Sequence, residues 1–193
     1  MEYYFLADDG STPSLRVNDK KTAELLMWHE HHEISNNSFD LYFDENLPER
    51  FLLGDFYFLS GKRQVVSDKI KNEILKLNPI KINYLPVNIH INNNIIKNYF
   101  IINSYNRIAC MDLEQSEYRE SHHPDGGVLS IDKLVLNYSV LDKIPLEERL
   151  VFILDECETY TLYHEKIIEK LKKLNPNGMH AINIKEWDSD MMM

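Results

Sequence analysis

Two histidine-rich segments carry the residue types that could hold a metal ion. The first, WHEHHEIS, places His29, His31 and His32 beside Glu30 and Glu33. A metalloprotease helix needs two histidines four residues apart, with glutamate after the first, because only that spacing turns both imidazoles toward one zinc ion. The residue four positions after His29 is Glu33, so this pattern is not met. A solvated polar segment that follows an apolar turn explains the same residues.

The second segment is SHHPDGG, in which His122 and His123 precede a proline, an aspartate and two glycines. Small nucleases that activate water with one metal also carry paired histidines, but they need a later asparagine and histidine that return to the site. Asn137 and His164 are the downstream candidates, and their spacing fits that pattern poorly. Because glycine supplies the positive φ that tight turns need, we expect a turn here.

Other catalytic signatures are missing from the sequence. Gly54 and Gly61 are isolated, so no glycine-rich loop could cradle a phosphate, and no Gly-x-Ser-x-Gly elbow occurs. Cys110 and Cys157 lie beside apolar runs and have no histidine at a known family spacing, which favours buried reduced thiols. These observations predict a protein that is not an enzyme and uses no cofactor and no metal.

Two other functions stay open at this point. One is a metal-dependent hydrolase that uses the His29 and His31 pair or the His122 and His123 pair. The other is a small-molecule-binding sensor, which a large apolar pocket with a few convergent polar groups would favour.

The charge of the chain limits its partners. The 21 basic and 31 acidic side chains give a formal net charge of −10, which opposes binding to nucleic acid phosphates. Acidic residues collect at the ends of apolar segments, so several acidic loops at one sheet edge would form a negative face. Such a face speeds association with a basic protein. Acidic residues that only keep the protein soluble are the competing explanation.

The elements that must position these residues are mostly strands. Apolar and aromatic runs predict strands at 2–6, 39–43, 51–59, 107–111, 131–137, 150–154 and 179–184, and alternation predicts a hairpin around Asn92–Asn94. Periods near 3.6 predict two main amphipathic helices, at about 67–78, with Ser67 as N-cap, and at about 162–174. A further helix through AELLMW is a weaker pattern, and EQSEYRESHHPDGG is expected to be loop. The fold class is therefore α+β, with a mostly antiparallel or mixed sheet.

Length and the N-terminal residues indicate the organisation and location. At 193 residues the chain can form one domain over 1–193 or two lobes, 1–104 and 105–193, and the first 50 residues have the weakest pattern. Glu2 stands where a secretory signal would carry a basic residue, and no apolar run is long enough to span a bilayer. We therefore expect a cytoplasmic protein that binds no membrane.

The order of segments resembles a bacterial immunity-protein family formerly listed as domain of unknown function 1629, which is found beside polymorphic toxins. The resemblance covers about residues 50–184 and is weaker before residue 50. It is carried by the segments YYFL, GDFYFL, LPVNIHI, YFIIN, IACMDLEQSEY, LVFIL, HEKIIEKL and NPNGMHAINI. IACMDLEQS and the final helix-Asn-Gly-strand unit are the strongest of them.

The resemblance implies a non-enzymatic antitoxin whose partner is a cognate protein toxin encoded by an adjacent gene; it indicates no oligomeric state. It supplies no interface residues, so the contact is inferred from the acidic runs at the ends of predicted strands. Our candidates for toxin binding are five carboxylates and two aromatic anchors: Asp112, Glu114, Asp155, Glu156, Glu158, Tyr118 and Tyr160.

Overall fold

The computed structural model describes residues 1–28, 34, 38–43, 47–48, 51–59, 63–122 and 127–187. The strands within them are β1 (Tyr3–Ala7), β2 (Leu15–Arg16), β3 (Phe39–Phe43), β4 (Phe56–Leu59), β5 (Arg63–Ser67), β6 (Ile82–Ile91), β7 (Asn94–Ser104), β8 (Arg107–Ile108), β9 (Glu117–Glu120), β10 (Val128–Lys133), β11 (Val151–Leu154), β12 (Thr161–His164) and β13 (His180–Asn183). The helices are α1 (Lys20–Trp28), α2 (Asp68–Leu75), α3 (Tyr138–Leu141), α4 (Glu165–Leu174) and a 3-10 turn at Leu146–Glu148. The predicted α+β class is confirmed.

Six strands close into a barrel in the order β2-β3-β6-β7-β5-β4. Its longest pair is the β6–β7 hairpin, which turns at Asn92, whose φ is +52°. Leu85, Val87 and Ile89 face the barrel interior and are buried, as their alternation with polar residues predicts. The predicted hairpin is thus confirmed.

A five-stranded sheet, in the order β13-β1-β12-β11-β8, stands beside the barrel. Side chains alternate between its two faces. Tyr3 and Phe5 pack into a cluster with Phe152 on one face, while Leu6 and Tyr163 pack on the other face against helices α2 and α4 and barrel strand β4. Both faces of this sheet are therefore covered by other parts of the chain.

Helix α4 has residues at both ends that favour helix formation there. Glu165 lies in the first turn, Lys172 and Lys173 lie in the last, and Asn175 ends the helix in the left-handed conformation. The helix begins at Glu165 and not near residue 162, because residues 161–164 form β12 between β1 and β11.

Helix α2 ends at Leu75, three residues before the predicted end, and Leu77 in the following turn is half-buried. Ser67 is the N-cap residue, as predicted. Its hydroxyl, however, does not cap the helix and donates a hydrogen bond to the Asp55 carboxylate at 3.0 Å. Helix α2 is therefore connected to the loop that precedes β4.

Three local predictions are corrected by the structure. Residues 117–120, expected to be loop, form β9, because β10 pairs with them in an antiparallel hairpin. The strand expected at 131–137 is β10 at Val128–Lys133, followed by an isolated bridge from Leu136 to Met111. The strand expected at 51–59 begins only at Phe56. Among the described residues, no helix is both long and apolar enough to cross a membrane.

Candidate functional site

Strands β8 and β11 bring the predicted acidic residues together. They are parallel neighbours, with Ile153 opposite Arg107 and Leu154 opposite Ile108, so their carboxyl ends meet at one edge of the sheet. The segments that follow these strands carry the five candidate carboxylates, Asp112, Glu114, Asp155, Glu156 and Glu158, which we call the acidic edge. A hydrogen bond of 2.8 Å from the Met111 N–H to Glu156 Oε1 connects the two segments directly.

Arg107 links two members of the acidic edge. Its Nε lies 2.6 Å from Asp155 Oδ1, and its Nη2 pairs with Glu158 Oε1. All three side chains are partly exposed, so solvent screens these ion pairs and they contribute little to stability. They direct the two carboxylates toward one guanidinium. The five carboxylates outnumber this guanidinium, so the edge keeps a negative charge.

Two other members of the edge shape the local backbone. The Asp112 carboxylate accepts hydrogen bonds from the N–H groups of Glu114 and Gln115, both at 3.1 Å, and so orders the turn after β8. Glu156 Oε2 is buried and has no hydrogen-bond partner among the described residues. Glu114 is exposed. The edge therefore mixes structural carboxylates with a carboxylate that is open to solvent.

The two candidate aromatic anchors are half-buried. Tyr118 lies in β9 opposite Ile131 and packs against the core cluster of the sheet. The Tyr160 ring lies 5.4 Å from the ring centroids of both Phe5 and Trp187, and burial raises the pKa of its hydroxyl. Both side chains therefore contribute to the fold as well as to the surface of this edge.

Sequence reasoning missed the apolar side chains of this region that are most exposed. Leu113, between Asp112 and Glu114, is 50% exposed, and Leu129 in β10 is 60% exposed. Leu113 lies inside the segment IACMDLEQS, where its apolar type next to two acidic residues is a usable signal. No pattern in the sequence marks Leu129, because its exposure depends on the pairing of β9 with β10.

A second surface feature lies on the barrel beside the β6–β7 turn. A groove of about 320 Å³ is lined by Arg16, Tyr42, Phe43, Leu47, His90, Ile91 and Asn92. The Tyr42 and His90 rings are stacked, with centroids 4.6 Å apart and planes 15° apart, and His90 Nε2 lies 2.8 Å from Asp40 Oδ1. The hydrogen bond from His90 lowers the pKa of Asp40. Sequence reasoning did not select Asp40, Tyr42 or His90, although their outward positions follow from strand alternation.

The histidines considered for metal binding are not brought together where the structure describes them. His29, His31 and His123 lie outside the described residues, and His122 is exposed. His164 is the N-cap of α4, where its Nδ1 accepts a hydrogen bond from the Lys166 N–H at 3.1 Å. Within residues 1–28, 34, 38–43, 47–48, 51–59, 63–122 and 127–187, no three His, Cys, Asp or Glu side chains are grouped to hold a metal ion.

The two cysteines are buried and reduced. Burial raises the pKa of both thiols above the ordinary value, so the reactive thiolate is disfavoured. Among the described residues, the charged groups that act on the two thiols are the carboxylates of Glu156 and Glu158, which raise the thiol pKa further.

Comparison with known families identifies an immunity protein family. The family model described as "Immunity protein family (Imm11)" matches residues 9–179. The match includes most of the first 50 residues, where the resemblance in the sequence is weaker. No curated protein matches the sequence.

Proposed function

Since the chain belongs to the Imm11 immunity protein family, we propose that it binds a toxin made by its own cell and neutralises it without catalysing a reaction. The family match over residues 9–179 is the observation that carries this proposal. The toxin is a cognate protein of a polymorphic toxin system, encoded by an adjacent gene, and the encounter takes place in the cytoplasm.

The proposed contact surface is the acidic edge with Tyr118 and Tyr160. Asp112, Glu114, Asp155, Glu156 and Glu158 form its charged border, and the two tyrosines supply aromatic surface beside them. A negative border favours a toxin whose active surface is basic, because opposite charges speed the encounter and disfavour other partners. An interface of standard size buries about 1,600 Å² in total, which is enough for nanomolar affinity when its centre packs well.

We also propose that residues 1–193 act as one immunity domain. Barrel side chains Phe56, Phe58 and Val66 share a hydrophobic cluster with Leu6 and Tyr163 of the five-stranded sheet. A shared core of this kind couples the barrel to the sheet that carries the acidic edge.

Co-expression tests the proposed function. Cells that express the toxin domain of the neighbouring gene should survive only when this protein is also present. Death of the cells in both cases would overturn the proposal. A purified, inactive toxin domain should also bind the protein with one-to-one stoichiometry in calorimetry.

The choice of surface is tested by charge reversal. Changing Glu114 and Asp155 to Lys should slow association with the toxin about tenfold or more and flatten its salt dependence. The matched control reverses Glu147 and Glu169, which are exposed on the 3-10 turn and on α4 and change the net charge equally. If both pairs slow association to the same extent, the effect comes from net charge, and the acidic edge is not the contact.

A further inference from the structure

We infer that the toxin contact continues from the acidic edge onto the β9–β10 hairpin, and that Leu113 and Leu129 are its apolar anchors. This inference rests on the proposed function and adds the part of the surface that supplies affinity. The partner it fits is a basic protein surface with apolar hollows between its charges.

The acidic edge and the hairpin form one continuous surface. The Asp112 N–H donates to the Val135 carbonyl at 2.8 Å. The Ser116 hydroxyl accepts a hydrogen bond from the Val135 N–H at 2.9 Å and donates to the Val135 carbonyl at 3.2 Å. Because these bonds attach the segment that follows β10 to the turn that carries Leu113, a partner on the edge also meets the hairpin.

A bulge in β10 turns Leu129 outward. Val128 pairs with Glu120 and Ser130 pairs with Arg119, so Leu129 is an extra residue without a partner of its own. Ile131, two residues further on, is buried, and regular alternation would bury Leu129 on the same face. Bulges re-aim side chains and are frequent beside functional sites. The bulge thus exposes a leucine that a regular strand would bury.

The surroundings of the two leucines match the organisation of a protein interface. Two charged pairs join the strands of the hairpin, with Arg119 Nε 3.7 Å from Asp132 Oδ2 and Lys133 Nζ 3.6 Å from Glu117 Oε1. Interfaces typically place apolar side chains inside a polar rim, and the rim charges act on encounter while the apolar centre acts on dissociation. Single exposed leucines are common on protein surfaces. These two are singled out because Leu113 lies between Asp112 and Glu114, and because the bulge turns Leu129 outward on the hairpin that is joined to the same turn.

The test compares four substitutions in the full chain. Leu113→Ser and Leu129→Ser should each weaken binding to the inactive toxin domain at least tenfold, mainly through faster dissociation. Leu52→Ser and Ile95→Ser are matched controls, because these side chains are 89% and 54% exposed and lie on the barrel side of the molecule. The controls should change affinity by less than twofold, and Leu129→Met should retain most of it.

Each outcome decides between the two claims. If Leu113→Ser and Leu129→Ser bind as tightly as the controls while the wild-type chain binds the toxin, this inference is wrong and the proposed function stands. If the wild-type chain does not bind the toxin, both fail. All four side chains are exposed, and unchanged melting temperatures would show that a loss of affinity is not a loss of folding.

Discussion

The carbonyl of Asn177 accepts a hydrogen bond from the N–H of Phe56 at 3.1 Å, which joins the turn after α4 to barrel strand β4. The Asn177 side chain adds a second bond, at 2.7 Å, from the Asp55 N–H to its Oδ1. The next residue, Gly178, donates its N–H to the Ser11 hydroxyl at 3.0 Å. Three segments that are distant in sequence therefore meet at this turn. The Asn177-Gly178 pair of the segment NPNGMHAINI joins them through these hydrogen bonds.

Gly178→Ala should lower the free energy of unfolding by about 2–4 kcal/mol. The residue has a φ of +85°, and a Cβ there would lie 2.2 Å from the Phe56 carbonyl oxygen. The left-handed conformation costs about 1–2 kcal/mol, and forced overpacking about 1–3 kcal/mol. Urea titration measures the loss.

Gly10→Ala is the matched control for that variant. Gly10 has a φ of +73°, and a Cβ there would meet no atom within 4 Å. In Gly10→Ala the alanine must adopt the left-handed conformation but meets no clash, so the free energy of unfolding should fall by about 1 kcal/mol. Equal losses at the two glycines would show that the close approach to Phe56 does not matter.

Local patterns predict the elements whose residues interact with near neighbours. The β6–β7 hairpin follows from alternation and from the tolerance of Asn92 for positive φ, and α4 follows from the period of Ile167, Ile168 and Leu171. The sequence places the start of α4 too early. Tyr163 lies four residues before Ile167 and therefore fits the helical period, although it belongs to β12. Both residues are buried in the same cluster, so either assignment explains the hydrophobicity.

Long-range pairing is what the sequence does not predict. The barrel includes the parallel pairing of β3 with β6, which brings Leu41 opposite Ile89 across a separation of 48 residues. The contact of Arg107 with Asp155 likewise depends on β8 and β11 being neighbours. The acidic residues are identified by composition at strand ends, and Leu113 could be identified by its place between two of them. The exposure of Leu129 depends on a bulge that only the pairing reveals.

His164 should make the protein less stable as the solution becomes acidic. Burial lowers its pKa to about 4, below the value of about 6.5 in the unfolded chain, so the unfolded state binds the proton first. Stability is then complete above about pH 6.5 and declines as the pH falls toward 4. At pH 5 the loss should be about 2 kcal/mol. Denaturant titrations at pH 7.5 and pH 5 measure it.

His164→Asn provides the comparison for that pH dependence. Asparagine is a good N-cap residue but does not titrate, so the variant should lose about 2 kcal/mol less than the wild type between pH 7.5 and pH 5. Packing of the ring against Tyr3, at 5.3 Å between centroids, adds a loss that is the same at both pH values. An equal pH dependence in both proteins would mean that other groups control acid stability.

Truncating the buried face of α4 should be strongly destabilising. Ile168 and Leu171 are both buried against the sheet and α2, so substitution of either by Ala should cost about 2–5 kcal/mol through lost burial and a cavity. Glu169→Ala, on the exposed side of the same helix, should change stability by less than about 0.5 kcal/mol. A loss below 0.5 kcal/mol at Ile168 in a reversible titration would show that this face does not pack as described.

Tyr160 should be needed for stability as well as for the proposed contact. Its half-buried ring packs between Phe5 and Trp187, so Tyr160→Ala should lower the free energy of unfolding by about 2–3 kcal/mol, below the range of fully buried aromatic residues. Tyr160→Phe keeps the ring and should lose less than about 1 kcal/mol. Toxin binding by Tyr160→Phe then isolates the contribution of the hydroxyl in a folded protein. If Tyr160→Ala is as stable as the wild type, the ring has no part in this aromatic cluster, and its role is at the surface alone.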